Sequence, residues 1–341
     1  MPGHDIIVVG ASAGGVEALV TLARTLPADL PAAVFVVLHI PAQSRSFLPE
    51  ILSRVGMLPA VQATDNQPIE YGHIYIATPD HHLLLERGKM CVTRGPKENR
   101  HRPAIDPLFR SAAYTYNTRV IGVVLTGALD DGTAGLLTIK EYGGIAVVQD
   151  PHEALYASMP LSAIANVDVD YTLPLAEISP LLKRLAQTQV EKERNVPMPE
   201  NTEREIKSVM MDRHSAQAVH QLGTPSVFSC PECGGVLWEL HDEKLLRFRC
   251  RVGHAFSVES MLAGQDEALE DALWVALKTL EEKADLSRRM LQQASLRGQH
   301  MLVQHFANRL QEAEQRIALI RRALLLKEDK DDTENIAEPA D

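Results

Sequence analysis

The sequence predicts an α/β fold built on a doubly wound, mainly parallel sheet, followed by a small zinc-ribbon-like module and C-terminal α-helices. Three observations carry this. Apolar, β-branched runs such as V-F-V-V-L and V-I-G-V-V-L alternate with helical patterns over the first 190 residues, and unbroken runs of that kind suit strands covered on both faces. Cysteines spaced C-x-x-C, then a C-x-x-x-H pair, follow between 230 and 254. Beyond 266 the chain turns to Ala, Leu, Glu, Gln and Arg, with apolar residues at helical spacing.

The elements follow in order. Strands are expected at 6–10, 33–40, 72–77, 119–126 and 145–149, with a hairpin near 83–94. Helices are expected near 15–27, 46–55, 106–117, 132–142, 159–166 and 176–187. This first domain spans 1–190. Residues 191–226 are charged, contain proline and are poor in large apolar residues, so they read as a linker with a short helix at 203–221. The cysteine module occupies 227–258, the helical region 266–327, and an acidic tail predicted to be disordered 328–341. Gly298 divides the helical region into two helices that pair as a hairpin or join two copies into a homo-oligomer.

Composition narrows the function classes. An apolar content of 45% over 341 residues supports real cores. A net charge of −11 argues against a nucleic-acid protein that works by neutralising phosphates. No window is long and apolar enough for membrane insertion, and the N-terminus enters a strand directly, with no signal-peptide pattern. Only four cysteines occur, three of them with metal-like spacing, which fits a reducing cytoplasm better than disulfides. The fourth, Cys91, falls in a strand and reads as a buried small hydrophobe.

Chemistry concentrates at three strand ends. Ser12 lies in I-I-V-V-G-A-S-A-G-G, a strand-to-helix turn that exposes a hydroxyl beside the free N–H groups of a helix start. His39 ends the second strand, in V-F-V-V-L-H-I-P, and Asp131 follows a later one, in V-V-L-T-G-A-L-D-D-G-T-A-G. Ser, His and Asp at one sheet edge make a nucleophile, a general base and an orienting carboxylate. Backbone N–H groups near Ala13 and Gly14 are candidate oxyanion donors. Each residue also has an ordinary structural reading. Glycine-rich turns bind nucleotides, strand-end histidines are commonly structural, and Asp130 or Asp131 suits the cap of the helix that follows. The dinucleotide fingerprint is incomplete, because Ser12 replaces its second glycine and His39 stands where an acidic residue belongs. The order Ser…His…Asp also differs from the Ser…Asp…His of α/β-hydrolases.

At these residues the sequence resembles the catalytic domain of the chemotaxis protein-glutamate methylesterase (CheB-type) family. The resemblance runs from residue 6 to about 187, through G-A-S-A-G-G, L-H-I-P, G-H-I-Y-I-A-T-P-D-H-H-L, R-P-A-I-D-P-L-F-R-S-A-A, V-V-L-T-G-A-L-D-D-G-T-A-G and M-P-L-S-A-I. It implies demethylation of glutamate γ-methyl esters on methyl-accepting chemotaxis receptors, with glutamine deamidation by the same acyl chemistry. It implies Ser12 as nucleophile, His39 as base and Asp131 as third member, chosen over Asp130 because it directly precedes the Gly of the D-G pair. Catalysis of this kind needs no cofactor. Arg102, Asp106 and Phe109 fall in a family motif near the site. Arg102 is a candidate substrate contact, and capping and packing account for the other two. Two departures stand out. The family's phosphorylatable receiver domain is expected to be absent in cis. Ala128-Leu129 also replaces a common Met-Gly. A non-catalytic docking protein that keeps the fold is the competing reading, and an intact Ser-His pair argues against it.

Cys230, Cys233, Cys250 and His254 make a Cys₃His set, which supplies four tetrahedral ligands to a structural Zn²⁺ and leaves no open position. His241 is a weaker alternative ligand. Because Ser12, His39 and Asp131 all precede residue 132, removal of 191–341 is expected to spare small-ester hydrolysis and to impair recognition of a methylated receptor partner.

Overall fold

The computed structural model describes residues 3–190, 200–210, 223–240 and 244–334. Its first part is a seven-stranded parallel sheet in the order β3-β4-β2-β1-β7-β8-β9. The strands are β1 (Ile6–Ala11), β2 (Ala33–Leu38), β3 (Ala60–Gln62), β4 (Ile74–Ile76), β7 (Val120–Val124), β8 (Ile145–Gln149) and β9 (Tyr171–Leu173). A separate antiparallel hairpin joins β5 (His82–Glu86) to β6 (Lys89–Thr93). The three-residue strands β3 and β9 escape the sequence reading. Both are edge strands with partly exposed residues, so neither carries a continuous apolar run.

Alternation along β1 divides the core. Ile7, Val9 and Ala11 pack with α1 (Gly15–Thr25), α2 (Leu48–Val55) and α6 (Leu175–Gln187). Ile6 and Val8 pack on the other face with α3 (Ile105–Tyr116), α4 (Thr133–Glu141) and α5 (Ser158–Asn166). All six residues of β1 are buried, as strands covered on both sides require. The chain winds outward from β1 through β2 and returns on its other side as β7. The strand order therefore reverses at β1, and a crevice at such a switch point is where α/β sheets bind ligands.

The segment expected as a linker contains α7 (Glu200–Val209), whose Ile206 and Val209 pack on Leu84 of β5. Its apolar residues are few but fall on one face, and that face is buried. Residues 211–221 of the expected helix at 203–221 lie outside the described residues, as does His241. The cysteine module is a four-stranded antiparallel sheet of β10 (Gly223–Ser229), β11 (Val236–Leu240), β12 (Arg247–Cys250) and β13 (Ala255–Ser257). Its core is Cys230, Leu237, Phe248, Cys250, Phe256 and Met261.

The chain divides into two units, Met1–Leu262 and Ala263–Asp341. The cysteine module thus belongs to the same unit as the large sheet. Helix α8 spans Val258–Leu296 and α9 spans His300–Glu334, with Gly298 between them at φ 66°. Within the second unit the two helices pair, with Arg321 against Glu281 at 2.6 Å and Arg288 against Glu314 at 3.1 Å. Helix α9 is assigned as far as Glu334, past residue 328 where the tail was expected to begin. Residues 335–341 lie outside the described residues.

Candidate active site

Ser12 follows β1, His39 follows β2, and Asp131 lies between β7 and α4, at the carboxyl ends of three adjacent strands. The Ser12 hydroxyl lies 3.1 Å from His39 Nδ1, and His39 Nε2 lies 2.8 Å from Asp131 Oδ2. The hydroxyl donates to one ring nitrogen while the other donates to the carboxylate. That is the arrangement a general base needs.

Local structure explains the placement. Ser12 sits one residue beyond the strand, its N–H bonded to the Thr126 carbonyl at 3.0 Å. Gly14 takes φ 72° as the N-cap of α1, a conformation that costs glycine nothing. Among the described residues neither the Ala13 nor the Gly14 N–H has a hydrogen-bond partner, so both remain available to an oxyanion. A Cβ on Gly127 would collide with Met159 Sδ and come within 2.9 Å of Ser12 Cβ, so this glycine keeps the hydroxyl accessible.

Asp131 is buried and heavily bonded. Oδ2 also accepts the Ile105 N–H at 2.7 Å, and Oδ1 accepts the Gly132 N–H at 3.0 Å and Asn99 Nδ2 at 2.8 Å. Burial acts to raise its pKa, but the bond and charge from His39, with the Ile105 N–H, outweigh burial and hold it well below the usual carboxylate range. Asp106 behaves oppositely. Burial first, and the Asp131 charge second, push it up to about 8. At neutral pH the negative charge of this pair therefore rests on Asp131, beside His39.

Asp106 was expected to cap its own helix. Instead its Oδ1 accepts N–H groups of Gly132 at 3.1 Å and Gly135 at 2.6 Å, so it braces the start of α4 and the Asp131 loop. Phe109 is core, as packing implied. Asp130 points elsewhere and accepts the Ser257 hydroxyl at 2.6 Å. Arg102 is committed to Asp80, 2.8 Å from Nε and 2.5 Å from Nη2, and to the Gly95 carbonyl, so it orders the loop rather than projecting into the crevice. Leu129 adopts φ 60°, a left-handed conformation that suits the glycine of the common Met-Gly pair better than leucine. Cys91 is only half-buried, where full burial was expected.

Two site residues escape sequence reading. His101 stacks on His39 with ring centroids 3.7 Å apart and planes 11° from parallel. Burial, then His39, pulls its pKa down to about 4, so it stays neutral and covers the base without competing for Asp131. Asn99 donates both Nδ2 protons, one to Asp131 and one to Asp106 at 2.9 Å. Both residues belong to the turn 98–101, just ahead of the R-P-A-I-D motif. Periodicity and metal-ligand spacing are silent about such a turn.

The Cys₃His set also comes together. Its four ligand atoms all lie within 4.8 Å of one another. Cys233 and Cys250 sulfurs are 3.7 Å apart, Cys250 Sγ is 3.5 Å from His254 Nδ1, and Cys230 Sγ is 3.7 Å from the same nitrogen. A tetrahedron of ~2.3 Å Zn–S bonds has edges of about 3.8 Å, so these spacings suit a zinc-sized ion and are too long for a disulfide.

Among known proteins, a family model described as CheB methylesterase matches residues 7–182. The chain is 39% identical over 181 residues to a protein-glutamate methylesterase/protein-glutamine glutaminase of Hydrogenovibrio crunogenus, covering 52% of this chain and 48% of that one. A Leptospira interrogans protein named for the same two activities is 42% identical over 189 residues, covering 55% of this chain and 98% of that one. The chain thus spans about half the length of the first relative and nearly all of the second. The crystal structure of the Thermotoga maritima CheB methylesterase catalytic domain matches with a TM-score of 0.51 and 34% identity, over 53% of this chain and 98% of that one. In sequence and in sheet topology alike, the chain belongs to the CheB methylesterase family.

Proposed function

We propose that the chain is a serine hydrolase that removes methyl groups from glutamate γ-methyl esters on chemotaxis receptors, with Ser12, His39 and Asp131 as its catalytic residues. The observation that carries this reading is the unbroken hydrogen-bond chain from Ser12 through His39 to Asp131 at 3.1 and 2.8 Å. Ser12 Oγ attacks the ester carbonyl as its proton passes to His39 Nδ1. The N–H groups of Ala13 and Gly14 receive the developing oxyanion. His39 returns the proton to the leaving methoxide, methanol departs, and water drawn across the same base resolves the acyl-enzyme. The charged Asp131 stabilises the imidazolium that forms in between. A γ-carboxamide in place of the ester would release ammonia by the same steps, which accords with the second activity in the relatives' names. The chemistry calls on no cofactor.

The Cys₃His residues fit a structural Zn²⁺ with a closed shell of four protein ligands, which leaves no position open for substrate. The domain reading places catalysis within 1–190 and receptor recognition or self-association on α8 and α9, which expose Leu269, Trp274 and Leu319. Among the described residues no helix is long and apolar enough to cross a membrane. A cytoplasmic site of action accords with the reduced cysteines and a receptor substrate. The test is methanol release from a methylated receptor. Release by the parent and none by Ser12→Ala supports the reading. Equal release by both defeats it.

A further inference from the structure

We infer that the Cys₃His module is part of the hydrolytic machinery, acting through Asn99: it fixes the turn 98–101, and the turn fixes Asp131 and His39. The inference rests on the reading of Ser12, His39 and Asp131 as the triad.

The turn is unusual. Glu98 and His101 exchange N–H···O bonds of 3.2 and 2.9 Å, while Asn99 and Arg100 between them take φ 48° and 69°. Non-glycine residues in this region persist where surroundings impose them. Each of three side chains has a separate task. Glu98 enters a buried ion-pair network, Asn99 bridges Asp131 and Asp106, and His101 covers His39.

What imposes the turn is the cysteine module. The Asn99 N–H donates to the Ala255 carbonyl at 2.8 Å, and the Ala255 N–H donates to the Lys97 carbonyl at 3.3 Å. Asn99 Oδ1 accepts the Ser257 N–H at 3.0 Å and the Ser260 hydroxyl at 3.2 Å. The amide is thus pinned at both ends, oxygen by the module and nitrogen by the two carboxylates, which leaves it one orientation. Lys97 also reaches Glu232, inside the C-x-x-C knuckle, at 3.0 Å. Below these contacts Arg249 of β12 lies 2.8 Å from Glu98 and 3.0 Å from Glu205 of α7, while Arg110 of α3 lies 2.7 Å from Glu98.

The link to the metal site is covalent and short. His254 directly precedes Ala255, and Cys250 ends β12. An ion that gathers Cys230, Cys233, Cys250 and His254 therefore sets β13, and β13 sets Asn99. The six-residue core of the module is small for independent stability, and small folds of this kind depend on a metal or disulfides. The expectation that the chain beyond 190 is dispensable for small-ester hydrolysis gives way to its opposite.

The test uses the full chain, p-nitrophenyl acetate as probe, and Zn²⁺ stripped by a chelator and then restored. Stripping should lower kcat about tenfold or more with KM within about twofold, and Zn²⁺ should restore it, as loss of an outer-shell partner does elsewhere. In zinc-loaded protein Asn99→Ala should lose a similar factor. Stripping that variant should then cost less than about threefold, since the link is already cut. An unchanged kcat on stripping, full additivity of the two losses, or failure to take up Zn²⁺ would overturn the inference. If stripping unfolds the large sheet by circular dichroism, Ser260→Ala decides, because it removes a donor to Asn99 Oδ1 and spares ligands and triad. A clear kcat loss there supports the inference, and an unchanged kcat overturns it. Persistent activity in Ser12→Ala would instead defeat the triad reading itself, so the two failures are separable.

Discussion

Along β1 every side chain is buried, and its two faces pack into two separate apolar clusters. The four-stranded module at 223–257 has one cluster of six residues, Met261 of α8 included, with Val227 and Val236 left exposed. The large sheet is held by apolar area spread over many buried side chains. The module is held by point interactions: four candidate metal ligands and the Glu98–Arg110–Arg249–Glu205 network, all four of whose side chains are at least 96% buried. The triad stands on the large sheet, but one of its supports, Asn99, is set by the module. Chemistry and stability should therefore respond to different mutations in the two regions.

The largest expected effect is on the sheet side and purely chemical. Ser12→Ala should reduce ester turnover by about 10⁴-fold or more while leaving the melting temperature unchanged, because the side chain is only partly buried and carries the reaction. Asp131→Asn should cost about 10³- to 10⁴-fold, since an amide cannot hold the imidazole with its Nε2–H toward the carboxyl group. Asp130→Asn should cost less than about threefold, because an amide oxygen still accepts the Ser257 hydroxyl. The reverse ranking would move the third triad role to Asp130.

The next effect falls on the module and is one of stability. Arg249→Ala leaves Glu98 and Glu205 short of a partner in a buried setting, and should cost about 3–5 kcal/mol in denaturant unfolding. Arg288→Ala in the second unit removes a pair in which both side chains are more than half exposed. It should cost less than about 1 kcal/mol. Similar costs for the two would show that the buried network does not hold the module.

How far the sequence revealed all this follows the same division. Strands of the large sheet announce themselves because burial on both faces demands apolar runs, and Ser12, His39 and Asp131 stand out because they interrupt those runs at their ends. The cysteine cluster announces itself by spacing. Contacts between the regions do not. Asn99, His101, Glu98 and Arg249 are ordinary polar residues in a charged stretch, and their meaning arises only when β13 is laid beside the turn. The linker reading of 191–226 met the same limit, since Glu205 and Ile206 look solvated until α7 is docked.

The remaining expected effect is a pH dependence, and it tests the sheet side of the turn. His82 in β5 is fully buried, with Nε2–H donating to the Pro96 carbonyl at 2.9 Å and Nδ1 accepting the Ala104 N–H at 3.2 Å. Burial pulls its pKa down to about 4. The unfolded chain binds a proton there near pH 6.5, so between about 6.5 and 4 it holds one more proton at this residue than the folded chain does. Stability from His82 is thus complete above that window and lost as pH falls through it, by up to about 1.4 kcal/mol per pH unit. Asp106 and Asp130, both raised, work the other way in the same range, so the parent's net slope does not isolate the histidine. The difference between parent and His82→Gln does. Unfolding free energies measured from pH 7 to 4 should converge as pH falls, because the parent alone pays this proton linkage. Parallel curves would mean that His82 titrates in the fold as it does in the unfolded chain, and diverging curves that it is charged there, so that the turn beside it rests on an ion pair instead of a neutral imidazole.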